Sequence, residues 1–307
     1  MYVLFHVPDT KPEPWVEGLR AALPDAQIEV WTPGQSRKAD YAVVWSPPQQ
    51  FIDEQPGLKA LFNIGAGVDA LMKLCIPHAM RVVRLDDAGM AVQMAEYVCQ
   101  AVVRHFRELD VVEAETRQGQ WTFRKPRLRG EFPVGILGLG VLGARVAQAL
   151  QSFDFTVNGW SRSPKQLDGV RCFAGADQLG SFLAASRFLV CLLPLTPDTQ
   201  GLINRSTLSQ LMPGGYVINV ARGGHVVDED LLALLDDGRL AGATLDVFRT
   251  EPLPAEHAFW KHPKITVTPH TSARTLREES IAQIAGKILA LEAGKPIAGV
   301  VNPQRGY

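Results

Sequence analysis

The sequence predicts an α/β protein built on two open parallel sheets. Short apolar, β-branched runs alternate with segments of helical periodicity, the pattern of parallel strands joined by crossover helices. About eleven such runs occur, more than one open sheet usually holds, so two sheets explain them better than one. Between the two series lies a polar, arginine-rich stretch from Thr116 to Arg129.

The chain opens on Met1-Tyr-Val-Leu-Phe-His, read as a strand at Val3–Val7 that Pro8-Asp9-Thr10 cuts off. Further strands are expected at Ile28–Trp31, Tyr41–Trp45, Ala60–Ile64 and Arg81–Leu85. A helix from Met94 to Leu109 follows, with Val98, Val102 and Phe106 on one face. The second series comprises Phe132–Leu137, Phe155–Gly159, Phe188–Leu193, Tyr216–Val220, Ala243–Val247 and Ile265–Thr268. A last helix, Leu276 to Ala293, stops at Gly294-Lys295-Pro296. No internal repeat or low-complexity tract interrupts this order.

A chain of 307 residues accommodates two ordinary domains, and 46% hydrophobic with 21% charged residues is a globular composition. The formal net charge of −1 gives no global attraction to nucleic acid or an anionic membrane, while leaving a local anion site open. The N-terminus lacks a basic start, an apolar run and a small-residue cleavage site, and no segment reaches the roughly 20 apolar residues that span a bilayer. The expected location is the cytoplasm. Cys75, Cys99, Cys172 and Cys191 form no C-x-x-C pair and read as reduced packing residues. The histidines show no ligand spacing, so no metal is expected. His6, His78, His105, His225, His257 and His262 read as core or surface residues, and His270 as the exception.

Gly138-Leu139-Gly140-Val141-Leu142-Gly143 follows a buried strand and opens a helix through Leu150. Gly138 permits the tight turn, Gly140 lets backbone approach a pyrophosphate, and Gly143 lets the helix pack close to the sheet. N–H groups at the helix start then hold the anion. The alternative is a glycine-rich turn without a ligand. An NAD site places an acid about 20 residues on, to bond the ribose hydroxyls. Here Asn158-Gly-Trp160-Ser161-Arg162-Ser163-Pro-Lys165 has none. Ser161 and Ser163 can hydrogen-bond a 2′-phosphate, and Arg162 and Lys165 can neutralise it, which favours NADPH over NADH. The alternative is a solvated basic loop.

Three further features stand at or just after strand ends: Val220-Ala221-Arg222-Gly-Gly, Asp246-Val-Phe-Arg-Thr-Glu251-Pro252, and Thr268-Pro-His270. Separately they are a surface arginine, a helix-entry glutamate and a loop histidine. Together they supply what hydride transfer to a 2-keto acid requires. His270 would protonate the carbonyl oxygen, Glu251 would orient its imidazole, and Arg222 would grip the carboxylate and polarise the carbonyl.

The order Gly138-x-Gly140-x-x-Gly143, Ala221-Arg222-Gly223, Glu251-Pro252, Pro269-His270 resembles the D-2-hydroxyacid dehydrogenase family over nearly the whole chain. Val43-Val44-Trp45, Gly65-Ala66-Gly67-Val68-Asp69, Gly89-Met90-x-x-Gln93-Met94-x-Glu96-Tyr97 and Trp160-Ser161-Arg162-Ser163 are closer still to its glyoxylate/hydroxypyruvate reductase A branch. The resemblance implies a Rossmann-type NADP-binding domain, residues 99–274, inserted in a flavodoxin-like substrate domain, residues 1–98 and 275–307, with a hinge between them. It implies catalytic roles for Arg222, Glu251 and His270, and backbone N–H groups of Ala66-Gly67-Val68 offered to the substrate carboxylate. Trp45 would wall the substrate pocket or serve as an ordinary core tryptophan. Leu193-Pro194, Val220 and Ala221 would lie along the cofactor, and Asp246 would face its nicotinamide carboxamide. The implied assembly is a homodimer, with Trp121 and Phe123 as contacts.

Thr271-Ser272-Ala273 departs from the small apolar residues many relatives carry there, which bears on substrate preference rather than reaction type. Bulkier 2-keto acids, phosphoglycerate, phosphite and formate are rival substrates within the plan, though a formate-type site would carry Gln in place of Glu251. A dinucleotide-sensing co-repressor is a rival of another class. Such proteins usually carry disordered tails and an acidic strand end, and this sequence has neither.

Overall fold

The computed structural model describes residues 1–8 and 10–302. The chain folds as two compact units, one of Met1–Met90 with Arg274–Tyr307, the other of Ala91–Ala273. Asp9, part of the expected strand stop, lies outside the described residues.

In the first unit, β1 (Tyr2–His6), β2 (Gln27–Val30), β3 (Tyr41–Val44), β4 (Ala60–Asn63) and β5 (Arg81–Arg84) form a parallel sheet ordered β2-β1-β3-β4-β5. Strands β3 and β4 are buried along their whole length, as a parallel sheet covered on both faces requires. Helix α1 (Glu13–Ala22), with proline in its first turn, buries Trp15, Val16 and Leu19 at helical spacing. Helix α2 (Gln49–Glu54) buries Phe51 and Ile52. The C-terminal helix, Arg277–Glu292, turns Ile281, Ile284, Ala285 and Ile288 into the core shared with Val3, Phe5 and Leu19. Gly18 of α1 lets it close in, since a Cβ there would stand 2.5 Å from Ile281 Cδ1. Gly294 at φ +68° stops the helix.

The second unit begins with α3 (Met90–Phe106) and α4 (Leu109–Arg117). The single helix expected to Leu109 breaks because Glu108 takes a left-handed φ of +53°. Its carboxylate is paired there by Arg124 at 3.4 Å and Arg127 at 2.8 Å, so part of the arginine-rich stretch folds back onto α4. Helix α3 packs along its length, from Met94 to Phe106, in one core with Phe132, Val134 and Phe155, so all of it but Met90 goes into this unit.

Seven parallel strands follow: β6 (Val134–Leu137), β7 (Val157–Ser161), β8 (Val170–Ala174), β9 (Phe188–Cys191), β10 (Gly215–Asn219), β11 (Leu240–Leu245) and β12 (Ile265–Val267), ordered β12-β11-β10-β9-β6-β7-β8. The helices among them are α5 (Val141–Gln151), α6 (Leu179–Ala184), α7 (Arg205–Leu208) and α8 (Asp228–Asp236). Strand order reverses at β6 and β9, the position where open sheets of this kind bind ligands. Two differences from the sequence-based reading matter. Strand β7 runs two residues past Gly159, because Gly138 N–H donates to Trp160 O and Ser161 pairs with Ala174. Strand β8 was not expected at all, since this edge strand buries only Phe173.

Candidate active site

The glycine loop joins β6 to α5, and its three glycines are separately required. Gly138 has φ +103°, and a Cβ there would meet Leu192 O at 2.8 Å. A Cβ on Gly143 would stand 1.9 Å from Gly138 O, so the helix can approach the loop only with hydrogen at that position. Nothing lies within 4 Å of the position a Gly140 Cβ would take. Gly140 is the N-cap of the eleven-residue α5 and has no side chain to cap its first N–H groups, which leaves a cradle an anion can fill. A pyrophosphate fits it.

Around the loop, Leu139 is buried and packs on Gly159, where a Cβ would meet its methyls at 2.6 Å. Val141 is exposed and Leu142 half-buried. Trp160 Nε1–H donates to Gly175 O at 2.9 Å, which anchors the indole at the end of β7. Ser161 is 7% exposed and its hydroxyl donates to Ser163 O at 2.8 Å, so the turn is tied by one of the two serines expected to meet a phosphate. Arg162 and Ser163 stand exposed at its tip. Lys165 Nζ donates to Leu139 O at 2.9 Å, which brings the ammonium back over the glycine loop.

Because the sheet is parallel, the carboxyl ends of β9, β10, β11 and β12 line one edge with the glycine loop. Leu193 and Pro194 follow β9. Val220 and Ala221, both nearly buried, lead from β10 to Arg222, and Arg222 Nη1 donates to Ala221 O at 2.6 Å. Buried Asn219 shapes this turn, accepting from Ala221 N–H at 3.2 Å and donating to Arg222 O at 2.9 Å. Gly223 lets it press against the next loop, since a Cβ would lie 1.9 Å from Phe248 C. Glu251 Oε1 accepts from Phe248 N–H at 2.9 Å, and Glu251 Oε2 lies 2.7 Å from His270 Nδ1.

His270 sits in a left-handed conformation, φ +52°, unusual for a residue with a Cβ. Asp246 holds it there. The Asp246 carbonyl accepts from His270 N–H at 2.8 Å. Its fully buried carboxylate accepts from Thr271 N–H and Ser272 N–H, each at 2.8 Å, and from the Thr268 hydroxyl at 2.5 Å. Tyr97 OH meets Thr268 Oγ1 at 2.5 Å and extends this chain to α3. Asp246, expected at the carboxamide, thus turns its oxygens inward. Three donors compensate the buried charge, and the acid acts as a brace beneath the His270 turn.

In the first unit, Trp45 follows β3 and Ala66-Gly67-Val68 follow β4. Asn63, almost fully buried, donates through Nδ2 to Gly65 O at 3.0 Å and Gly67 O at 2.9 Å. Taking up two carbonyls of the turn fixes its backbone. The Trp45 ring lies on Gly65, where a Cβ would meet it at 2.5 Å, and the Val68 side chain enters the core.

The sequence-based reading missed the residues behind this geometry: Asn63, Asn219, and the Tyr97–Thr268 pair. A buried asparagine closing an apolar strand is the signal that was available for the first two. Among the described residues, no group of three His, Cys, Asp or Glu side chains could hold a metal ion.

Residues 99–272 match the family model described as D-isomer specific 2-hydroxyacid dehydrogenase, NAD binding domain. The chain is 48% identical to a glyoxylate/hydroxypyruvate reductase A of Serratia proteamaculans and 45% identical to one of Yersinia enterocolitica, in each case over 100% of both proteins. A D-isomer specific 2-hydroxyacid dehydrogenase from Xanthobacter autotrophicus, solved in complex with NADPH and MES, superposes with TM-score 0.95 at 40% identity, covering 100% of this chain and 99% of that one. An NADPH-dependent glyoxylate/hydroxypyruvate reductase from Sinorhizobium meliloti, in complex with NADP and sulfate, superposes with TM-score 0.93 at 35% identity and the same coverage. A match to the nucleotide domain, full-length identity and a shared fold agree, and this chain belongs to the D-isomer specific 2-hydroxyacid dehydrogenase family.

Proposed function

We propose that this chain is an NADPH-dependent reductase of glyoxylate and hydroxypyruvate. The observation that carries the reading is the His270–Glu251 pair, 2.7 Å apart, on the same sheet edge as the glycine loop. Three of the relatives named above, those of Serratia, Yersinia and Sinorhizobium, are glyoxylate/hydroxypyruvate reductases by name, and the two solved ones hold NADPH or NADP.

Gly138 to Gly143 would hold the pyrophosphate, with Trp160, Ser161, Arg162, Ser163 and Lys165 around the 2′-phosphate and Leu193, Pro194, Val220 and Ala221 along the nicotinamide half. No carboxylate stands between Asn158 and Lys165 to repel that phosphate. NADPH, when bound, supplies the hydride. The protein supplies the proton and the grip. Glu251 takes the Nδ1–H of His270, which leaves Nε2 as the nitrogen that gives a proton to the carbonyl oxygen. Arg222 pairs with the substrate carboxylate and polarises the carbonyl, its planar fork suited to both oxygens. In the first unit, Ala66, Gly67 and Val68 would offer N–H groups to a carboxylate, and Trp45 would wall a substrate pocket.

The chain acts as a homodimer through the segment 116–129, where Trp121 and Phe123 are 96% and 94% exposed, far more than a monomer needs to leave in water. It works in the cytoplasm, where its four unpaired cysteines stay reduced. No helix among the described residues is long and apolar enough to cross a membrane.

Initial rates of NADPH and NADH oxidation with glyoxylate, hydroxypyruvate, pyruvate, phenylpyruvate and 2-ketoisocaproate test this. Fast NADPH oxidation with the first two and slow NADH oxidation are expected. Turnover confined to the bulky acids overturns the substrate, and silence across the panel overturns the enzyme.

A further inference from the structure

His225 is fully buried, three residues beyond Arg222. Its Nδ1 lies 2.9 Å from Arg222 O and its Nε2 lies 3.3 Å from Pro194 O. An imidazole brought wholly out of water loses hydration at both nitrogens, so a core that needed only volume there would be better served by leucine. The ring is anchored by its own backbone: Ile203 N–H donates to His225 O at 2.9 Å, and Gly201 N–H donates to Gly224 O at 2.9 Å. Residues 201–203 thus fix the backbone from which the ring reaches two other loops.

We propose that His225 is a positioning residue for reduction, tying the backbone of the carboxylate-binding Arg222 to that of cofactor-lining Pro194. The inference rests on the roles assigned above to those two residues. Arg222 O accepts from Asn219 Nδ2 at 2.9 Å on one side and faces the His225 ring on the other. Gly223 pressed on Phe248 and Gly224 on Leu195 hold the turn that carries the guanidinium from two further sides. A carbonyl oxygen only accepts, so Nδ1 carries a proton. Burial on its own pushes this imidazole down, but Cys191 and the two carbonyls outweigh it and leave the histidine raised above its usual value. That favours the doubly protonated ring, which serves both carbonyls.

The two arms can be cut separately. Asparagine places an N–H at the position of Nδ1 and nothing at Nε2; glutamine does the reverse. His225→Asn is expected to keep the KM for glyoxylate within about twofold and to raise the KM for NADPH about threefold. His225→Gln is expected to raise the glyoxylate KM about tenfold and to leave the NADPH KM near its starting value. Residues that merely filled the core would shift both constants together with the thermal midpoint, and that parallel change overturns the proposal. A second measurement is independent of turnover. Nitrogen-15 imidazole NMR of the intact wild-type protein, with His225→Asn used to assign the signal, is expected to show His225 Nδ1 protonated from pH 6 to 8. An unprotonated Nδ1 overturns the tether. Inactive wild-type protein with a protonated Nδ1 overturns instead the functional reading on which the proposal rests.

Discussion

His270 Nδ1 lies 2.7 Å from Glu251 Oε2, and the other Glu251 oxygen is held at 2.9 Å by the N–H of Phe248. The carboxylate is fixed at both ends, so it sets the imidazole's tautomer and plane before substrate arrives. His270→Ala removes the proposed proton donor and is expected to lower kcat by about 10²–10⁴ in a protein with unchanged circular dichroism. Glu251→Gln keeps an acceptor for Nδ1–H but not its charge, and is expected to lose less than His270→Ala. Near-normal turnover in folded His270→Ala overturns the assignment.

Arg222 stands on a turn shaped by Asn219 and Gly223. Arg222→Lys keeps the charge but lacks the planar fork. We expect a glyoxylate KM raised at least about tenfold, with kcat also reduced, because the proposed role has the guanidinium meet both the carboxylate and the developing charge. Kinetics equal to wild type would remove Arg222 from the site.

Arg162 is exposed just beyond β7, in a segment without any acid. Arg162→Glu should repel the 2′-phosphate and abolish or reverse the preference for NADPH. The ratio of kcat/KM for the two cofactors measures this, with a change of at least about tenfold expected for a charge reversal. A ratio that does not move places the phosphate site elsewhere.

His105 packs on Tyr216, with ring centroids 4.2 Å apart, and edge-on against Phe188. Burial, and then the Arg127 cation, push its imidazole down to about 4. The unfolded chain protonates this residue near pH 6.5, while the folded one resists until about pH 4. Stability is therefore retained above about pH 6.5 and lost as pH falls between these values, by about 3 kcal/mol at most. His105→Phe removes the titration, so its denaturant midpoint should fall less than wild type's between pH 7 and 4.5. Equal losses in the two proteins would show that other groups carry the acid sensitivity.

What the sequence determined by itself is what depends on short-range sterics and on periodicity. Alternating apolar runs and helical stripes specify two parallel sheets, because buried strands and one-sided helices have few other ways to leave water. Gly138 and Gly143 are legible as a loop because their need for hydrogen is a matter of local backbone approach, borne out at 2.8 and 1.9 Å. Strand β8 and helix α4 were illegible for another reason: one buries only Phe173, and the other begins where Glu108 turns left-handed and buries no residue. Tertiary structure alone decided who holds whom. Tyr97 meets Thr268 across 171 residues of chain, Asp246 turns inward to brace His270, and His225 reaches Pro194. Hydrogen-bond partners are chosen by proximity after folding, and no spacing along the chain encodes them. Local backbone requirements are therefore readable in one dimension, while the contacts that hold one loop against another appear only in three.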